Sequence, residues 1–245
     1  MNEFYTKSYL IDTTHVDQMN NIRPSVMLSF FQDMATDHAA IMGISRDYLA
    51  RNYNACWLVA RTWYKLSRPL KVGKTVTIKT WHRGVSPLIV YRDFDLFVED
   101  ELVGEGVSGW VVADIDDRKM LRPESVAEIV SSPVPETVKE KTLRPIRRPK
   151  DAAHVYARTV RYSDLDLNGH MNNTRYADLV LDAFTPEEME GRFIAEMQLN
   201  YSQECKWGET MEVARKMDGD SCYIDGCCGD SQRRFEANLQ FQKEC

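Results

Sequence analysis

The segment Met19-Asn20-Asn21-Ile22-Arg23 returns as Met171-Asn172-Asn173-Thr174-Arg175, 152 residues on. Ser67-Arg68-Pro69-Leu70-Lys71-Val72-Gly73-Lys74-Thr75 returns more loosely as Ser202-Gln203-Glu204-Cys205-Lys206-Trp207-Gly208-Glu209-Thr210, 135 residues on. Two echoes in the same order mark a duplication, so the two halves must build the same unit. Residues 5–11 and 154–162 alternate in polarity and are rich in β-branched and aromatic side chains, which predicts an opening strand in each half. A polar loop ending in Asn-Asn follows each. Pro24 then suits a first helical turn, with Phe30, Phe31, Met34, Ala35 and His38 at helical spacing up to Gly43. Tyr176, Leu179, Val180 and Ala183 repeat this up to Thr185-Pro186. Strands are predicted at 57–67, 74–83, 88–98 and 106–115, and at 196–205, 210–217, 221–228 and 233–242. Phe235, Ala237, Leu239 and Phe241 alternate as in a half-buried antiparallel strand. Each half thus reads as strand, long helix, then about four antiparallel strands.

Between the halves, residues 137–150 carry two prolines, six basic residues and one acidic residue, and read as an extended linker. The charge fits simple solvation; it also fits a basic strip facing an acidic partner.

The second-half loop places an acid, an amide and an imidazole at alternate positions: Asp166, Asn168, His170. In an extended segment alternate side chains share a side, so all three can face one cleft. Turn formation and helix capping explain the same residue types. At the 152-residue offset the first half has Thr14, Val16 and Gln18 there, so the trio belongs to a task that one half performs. Glu204, on the polar side at the end of the strand predicted at 196–205, aligns with Pro69. Cys205, its neighbour, should face the other way.

The 245 residues include 43% apolar and 28% charged side chains, which excludes bulk disorder. A net charge of −6 argues against a nucleic-acid binder. No apolar run approaches the roughly 18 residues of a bilayer span; the one around Val107–Ile115 is broken by Ser108, Gly109 and Asp114. The opening MNEFYTKSYLID lacks a basic then apolar leader pattern, so no signal peptide is expected. Cys56, Cys205, Cys222, Cys227, Cys228 and Cys245 form no CxxC pair and no ligand spacing with the five histidines. This argues against a zinc site and a disulfide framework, and for a cytoplasmic protein with free thiols.

Asp166-Leu167-Asn168-Gly169-His170-Met171-Asn172-Asn173 resembles the DxNxHVNN motif of the acyl-acyl-carrier-protein thioesterases, with Met171 where Val is usual, and Gln203-Glu204-Cys205 is similar to their later Glu-Cys pair. The resemblance spans nearly the whole chain. It implies an α+β fold, a double hot-dog, in which each half is a long helix wrapped by an antiparallel sheet. The N-terminal hot-dog, 1–135, would bind the acyl chain without catalysing; 136–152 would be the linker and 153–245 the catalytic hot-dog. The implied activity is hydrolysis of fatty acyl-acyl-carrier-protein thioesters, ending chain elongation. The implied site is Asp166, Asn168, His170 and Glu204, with Cys205 as the alternative nucleophile and His170 as its base. Glu204, or Asp166 with it, would activate water or attack the carbonyl; His170 and Asn168 would position the thioester and stabilise its oxygen. No metal or organic cofactor is required. The implied partner is acyl carrier protein bearing a phosphopantetheine-linked chain, with no nucleic acid and no stable membrane association, and the protein as monomer or homodimer.

An acyl-coenzyme A thioesterase would use the same groups. A non-catalytic acyl-binding module predicts loss of the polar trio from both halves, whereas one half keeps it. A dehydratase on the same fold would also use His and an acid; the asymmetry of the halves and the Glu204-Cys205 pair favour hydrolysis. Which of Met27, Phe30, Phe31, Met34 or Trp57 would floor an acyl pocket is not readable from sequence, because such residues at helical spacing also build plain cores.

Overall fold

Alternating polarity becomes sheet as expected. The computed structural model describes residues 3–135, 139–229 and 232–244; the start of the expected linker, 136–138, and Cys245 lie outside the described residues. Chain order is β1 (Phe4–Leu10), α1 (Pro24–Ile41), α2 (Arg46–Tyr53), β2 (Ala55–Leu66), β3 (Thr75–Ser86), β4 (Ile89–Val98), β5 (Glu101–Asp114), β6 (Met120–Leu121), α3 (Ala127–Val130), β7 (Ala153–Thr159), α4 (Arg175–Leu181), α5 (Pro186–Met189), β8 (Arg192–Tyr201), β9 (Thr210–Asp218), β10 (Ser221–Cys228) and β11 (Arg233–Lys243). The first-half strands run β1-β3-β4-β5-β2 and the second-half strands β7-β9-β10-β11-β8, the same order twice. The fold is a double hot-dog of the α+β class.

Packing divides the chain into two compact units, one of Met1–Leu10, Ser29–Thr62 and Thr75–Leu143, the other of Ile11–Leu28, Trp63–Lys74 and Arg144–Cys245. In the first, α1 lies on the sheet through Phe31, stacked on Phe94 at 4.1 Å, and through Phe30, stacked on Tyr9 at 4.1 Å. The same helix–sheet space holds polar groups: the Arg92 guanidinium meets His38 Nδ1 at 2.8 Å and donates to Thr80 Oγ1 at 3.3 Å. His82 is buried, with neither ring nitrogen hydrogen-bonded. In the second unit, Tyr176 of α4 makes edge-on contacts with Tyr201 and Phe235, each at 5.6 Å.

Two expectations are corrected, and one helix is added. The second half has no long helix: α4 has seven residues, and a separate four-residue α5 follows, capped by Thr185 with Pro186 at its start. The polar helix α2 is an addition; Ser45 caps it by accepting from Tyr48 N, and only Leu49 of its residues is buried. β8 ends at Tyr201, so Glu204 and Cys205 lie beyond the strand, in the loop leading to β9. The basic segment packs onto the second unit from Arg144 on: Ile146 is buried, the Arg144 carbonyl accepts from Gln198 at 2.7 Å, and Arg148 pairs with Asp225 at 3.1 Å.

Candidate active site

The loop between β7 and α4 is a tight turn, not an extended segment. Leu165 and Met171 form an antiparallel bridge, and Asp166 N donates to His170 O at 2.8 Å. The Asp166 carboxylate accepts from Asn168 N at 2.7 Å, His170 N at 3.3 Å and the Asn168 amide at 3.3 Å. Gly169, at φ +76°, supplies the left-handed step that closes the turn. The base of the loop is pinned by buried Asp164, which accepts from Arg158 at 2.6 Å and Arg161 N at 2.8 Å. Asn172 then accepts from the Thr174 backbone and hydroxyl at 2.9 and 2.8 Å, an Asx turn that opens α4.

A second loop meets this one. Met171 N donates to Cys205 O at 2.8 Å, and His170 bridges to Lys206. This clamp brings His170 Nδ1 to 3.4 Å from Glu204 Oε1, with the imidazole largely buried and the carboxylate about one-third exposed. Asp166, Asn168, His170 and Glu204 are therefore gathered by two clamped loops. Cys205 turns the other way: it is fully buried, and burial pushes its thiol up to about 12.

The first half contains the same turn with other side chains. Asp17 N donates to Asn21 O at 2.8 Å, and the Asp17 carboxylate accepts from Met19 N and Asn21 N, each at 2.9 Å. Val16 bridges to Ile22, Asn20 takes the left-handed φ of +60°, and Ile22 N donates to Leu70 O at 2.9 Å. The structural offset of these loops is thus 149, three less than the Met-Asn-Asn echo, while the later offset of 135 holds. Asp17, not Thr14, corresponds to Asp166, Asn21 to His170, and Pro69 to Glu204. This corrects the expectation that the acid of the loop is confined to one half. Asp166 shares its turn-holding work with Asp17; the imidazole and the second carboxylate are what the first loop lacks. In their place, Asn21 donates to Glu244 at 2.7 Å, and Lys71 pairs with the same carboxylate at 2.8 Å. The adjoining void between Asn21, Pro69 and Phe193 measures about 10 Å³, too small for a substrate.

These features define a tandem hot-dog protein in which two paired loops of the second half hold a largely buried imidazole against a carboxylate. Models of the acyl-ACP thioesterase N-terminal and C-terminal domains match residues 2–130 and 147–245, and the chain belongs to the acyl-ACP thioesterase family. The chloroplastic oleoyl-acyl carrier protein thioesterase of Coriandrum sativum is 25% identical over 227 residues, 85% of this chain and 61% of its own length. The chloroplastic palmitoyl-acyl carrier protein thioesterase of Cuphea hookeriana is 26% identical over 238 residues, 88% of this chain and 54% of its own. This chain therefore spans somewhat more than half the length of these curated relatives. Two solved structures share the fold. An acyl-ACP thioesterase from Bacteroides thetaiotaomicron is 22% identical, with TM-score 0.85 and 98% of each chain covered. A 12:0-ACP thioesterase from Umbellularia californica is 19% identical, with TM-score 0.88, covering 100% of this chain and 99% of its own.

Proposed function

We propose that the protein hydrolyses fatty acyl thioesters of acyl carrier protein, releasing the free acid and the carrier thiol. The observation that carries this reading is the His170–Glu204 contact at 3.4 Å, present in the second loop pair and replaced by Asn21 and Pro69 in the first. Glu204, about one-third exposed, takes a proton from water as that water attacks the thioester carbon; the carbon–sulfur bond then breaks and the proton passes to the leaving thiolate. His170 and Asn168 orient the thioester and stabilise the charge on its oxygen. Asp166 holds Asn168 and His170 in place through the turn. The alternative nucleophile, Cys205, is disfavoured because its buried thiol does not ionise near neutral pH. The N-terminal hot-dog receives the acyl chain. The carrier protein is acidic in this reading, and the exposed Arg144, Arg147, Arg148 and Lys150 of the basic segment suit such a partner. Among the described residues no helix is long and apolar enough to cross a membrane. Among the described residues, Cys56, Cys205, Cys222, Cys227 and Cys228 are not joined in disulfides, which fits a cytoplasmic setting.

The test is thiol release. Purified protein is mixed with octanoyl-, myristoyl- and oleoyl-carrier protein and their coenzyme A counterparts in the presence of a chromogenic thiol reagent. Release from the carrier-protein substrates in preference to coenzyme A is expected. Release from coenzyme A alone would move the protein to the acyl-coenzyme A class, and no release from any substrate would remove the hydrolase reading.

A further inference from the structure

The loop that carries Glu204 also brings together three groups that the proposed hydrolysis does not use. Cys205, Glu209 and Cys228 each present a ligand atom, and all three atoms lie within 4.8 Å of one another. Cys205 and Cys228 are buried; Glu209 is about one-third exposed and forms the open edge of the cluster. The carboxylate is fixed by Lys206 N at 2.8 Å and faces the Arg234 guanidinium at 3.5 Å. Each of its oxygens keeps a further lone pair for a cation.

We propose that Cys205, Glu209 and Cys228 form a binding site for one divalent cation of the Zn²⁺ class, with water completing the coordination. Two sulfurs and one carboxylate oxygen are the donor set that borderline-soft divalent ions prefer over Mg²⁺ or Ca²⁺. The spacing fits: a tetrahedral Zn²⁺ with Zn–S near 2.3 Å sets its sulfurs about 3.8 Å apart, so side-chain rotations of about 1 Å close the cluster. The charge also fits. One M²⁺ enters as two thiol protons leave, so the total charge of the pocket, with Glu209 negative and Arg234 positive, is zero before and after. A buried site gains most from such balance, because uncompensated charge there is costly. Among the described residues the cluster occurs in the second half. At the corresponding places the first half has Leu70 and Lys74, which do not ligate a cation. The site is also coupled to the loop bearing His170, since the Cys205 carbonyl accepts Met171 N. The chain separation of Cys205 and Cys228 matches no metal motif, so only folding reveals the cluster.

The test uses the full-length reduced protein and Co²⁺ as the spectroscopic probe. One Co²⁺ per chain is expected, with an intense sulfur-to-cobalt charge-transfer band in the near ultraviolet, displaced by an equivalent of Zn²⁺. C228S and C205S should each weaken binding at least tenfold and lose part of that band, and E209Q should weaken it severalfold. C222S/C227S should bind as the parent does. Zn²⁺ should raise the melting temperature of the parent and leave that of C228S unchanged. In case a serine variant fails to fold, ¹¹³Cd resonance of the unmodified protein reports the donor set directly; a shift in the range of sulfur coordination is expected. Absence of the charge-transfer band and of a sulfur-type cadmium shift would overturn the proposal. So would an unchanged band and affinity in folded C228S. None of these readouts depends on thioesterase activity.

Discussion

His170 and Glu204 are 34 positions apart in sequence and 3.4 Å apart in space. Each is expected to be indispensable. His170→Ala and Glu204→Gln should each lower kcat/KM at least about a hundredfold, the usual loss when a positioned acid–base group is removed, with circular dichroism unchanged. Cys205→Ala should retain most turnover, because the thiol points into the core; a folded C205A protein without activity would restore Cys205 as nucleophile. Asp17→Ala and Asp166→Ala separate scaffold from chemistry. Both remove a carboxylate that holds two backbone N–H groups, so each should cost about 1–2 kcal/mol in denaturant titration. Only Asp166→Ala should also depress kcat, by loosening Asn168 and His170. The sequence exposed the candidate residues but not their division of labour. Matching Met-Asn-Asn to Met-Asn-Asn put the turn three residues out of step, because short identical strings here occupy different corners: Asn20 is the left-handed residue of its turn, whereas Asn172 makes the Asx turn that precedes α4. Hydrogen-bond pattern, not residue identity, is what the two loops share.

Strands were the most legible elements, since their alternation reports directly which side is buried. Helices were less so. α2 was hidden because its sequence, RDYLARNY, is polar and commits only Leu49 to the core; its signal was local, Ser45 as cap with Asp47 in the first turn. The second-half helix was overextended because Ala183 continues the helical spacing past Asp182, the residue that ends α4. At the centre of β10, Gly226 allows a close approach: a Cβ there would stand 2.3 Å from the Phe235 ring and 2.5 Å from Met211 sulfur. Gly226→Ala should therefore cost about 1–3 kcal/mol, seen as a lower Tm. An unchanged Tm would show that Phe235 and Met211 can withdraw. Such a glycine reads from sequence only as a weakness in a strand, because its purpose lies on the neighbouring strands.

For the molecule as a whole, duplication was legible from two echoes, and the repeated strand order follows from it. Acid stability was not legible, because it depends on which histidine is buried. Burial, with Arg92 and His38 nearby, pushes the His82 imidazole down to about 4 from an ordinary 6.5. The unfolded chain takes up that proton below pH 6.5, and the folded chain holds it off until about pH 4. Stability should thus fall as pH drops through this window, by on the order of 3 kcal/mol from this group. His82→Leu should flatten the decline and leave neutral-pH stability equal or higher, since it removes an imidazole whose nitrogens have no hydrogen-bond partner. Urea midpoints between pH 4 and 7.5 measure both; an acid slope unchanged in His82→Leu would assign the proton uptake elsewhere.

The Glu244 carboxylate beside Asn21 and Lys71 bears on attempts to build a two-headed hydrolase. Writing histidine at 21 and glutamate at 69 would restore the letters of the working loops without restoring their access. Glu244, just past β11, already occupies that doorway and is tied there by an amide and an ammonium. The idle copy has become a socket for this carboxylate, and reawakening it would require evicting what it now secures.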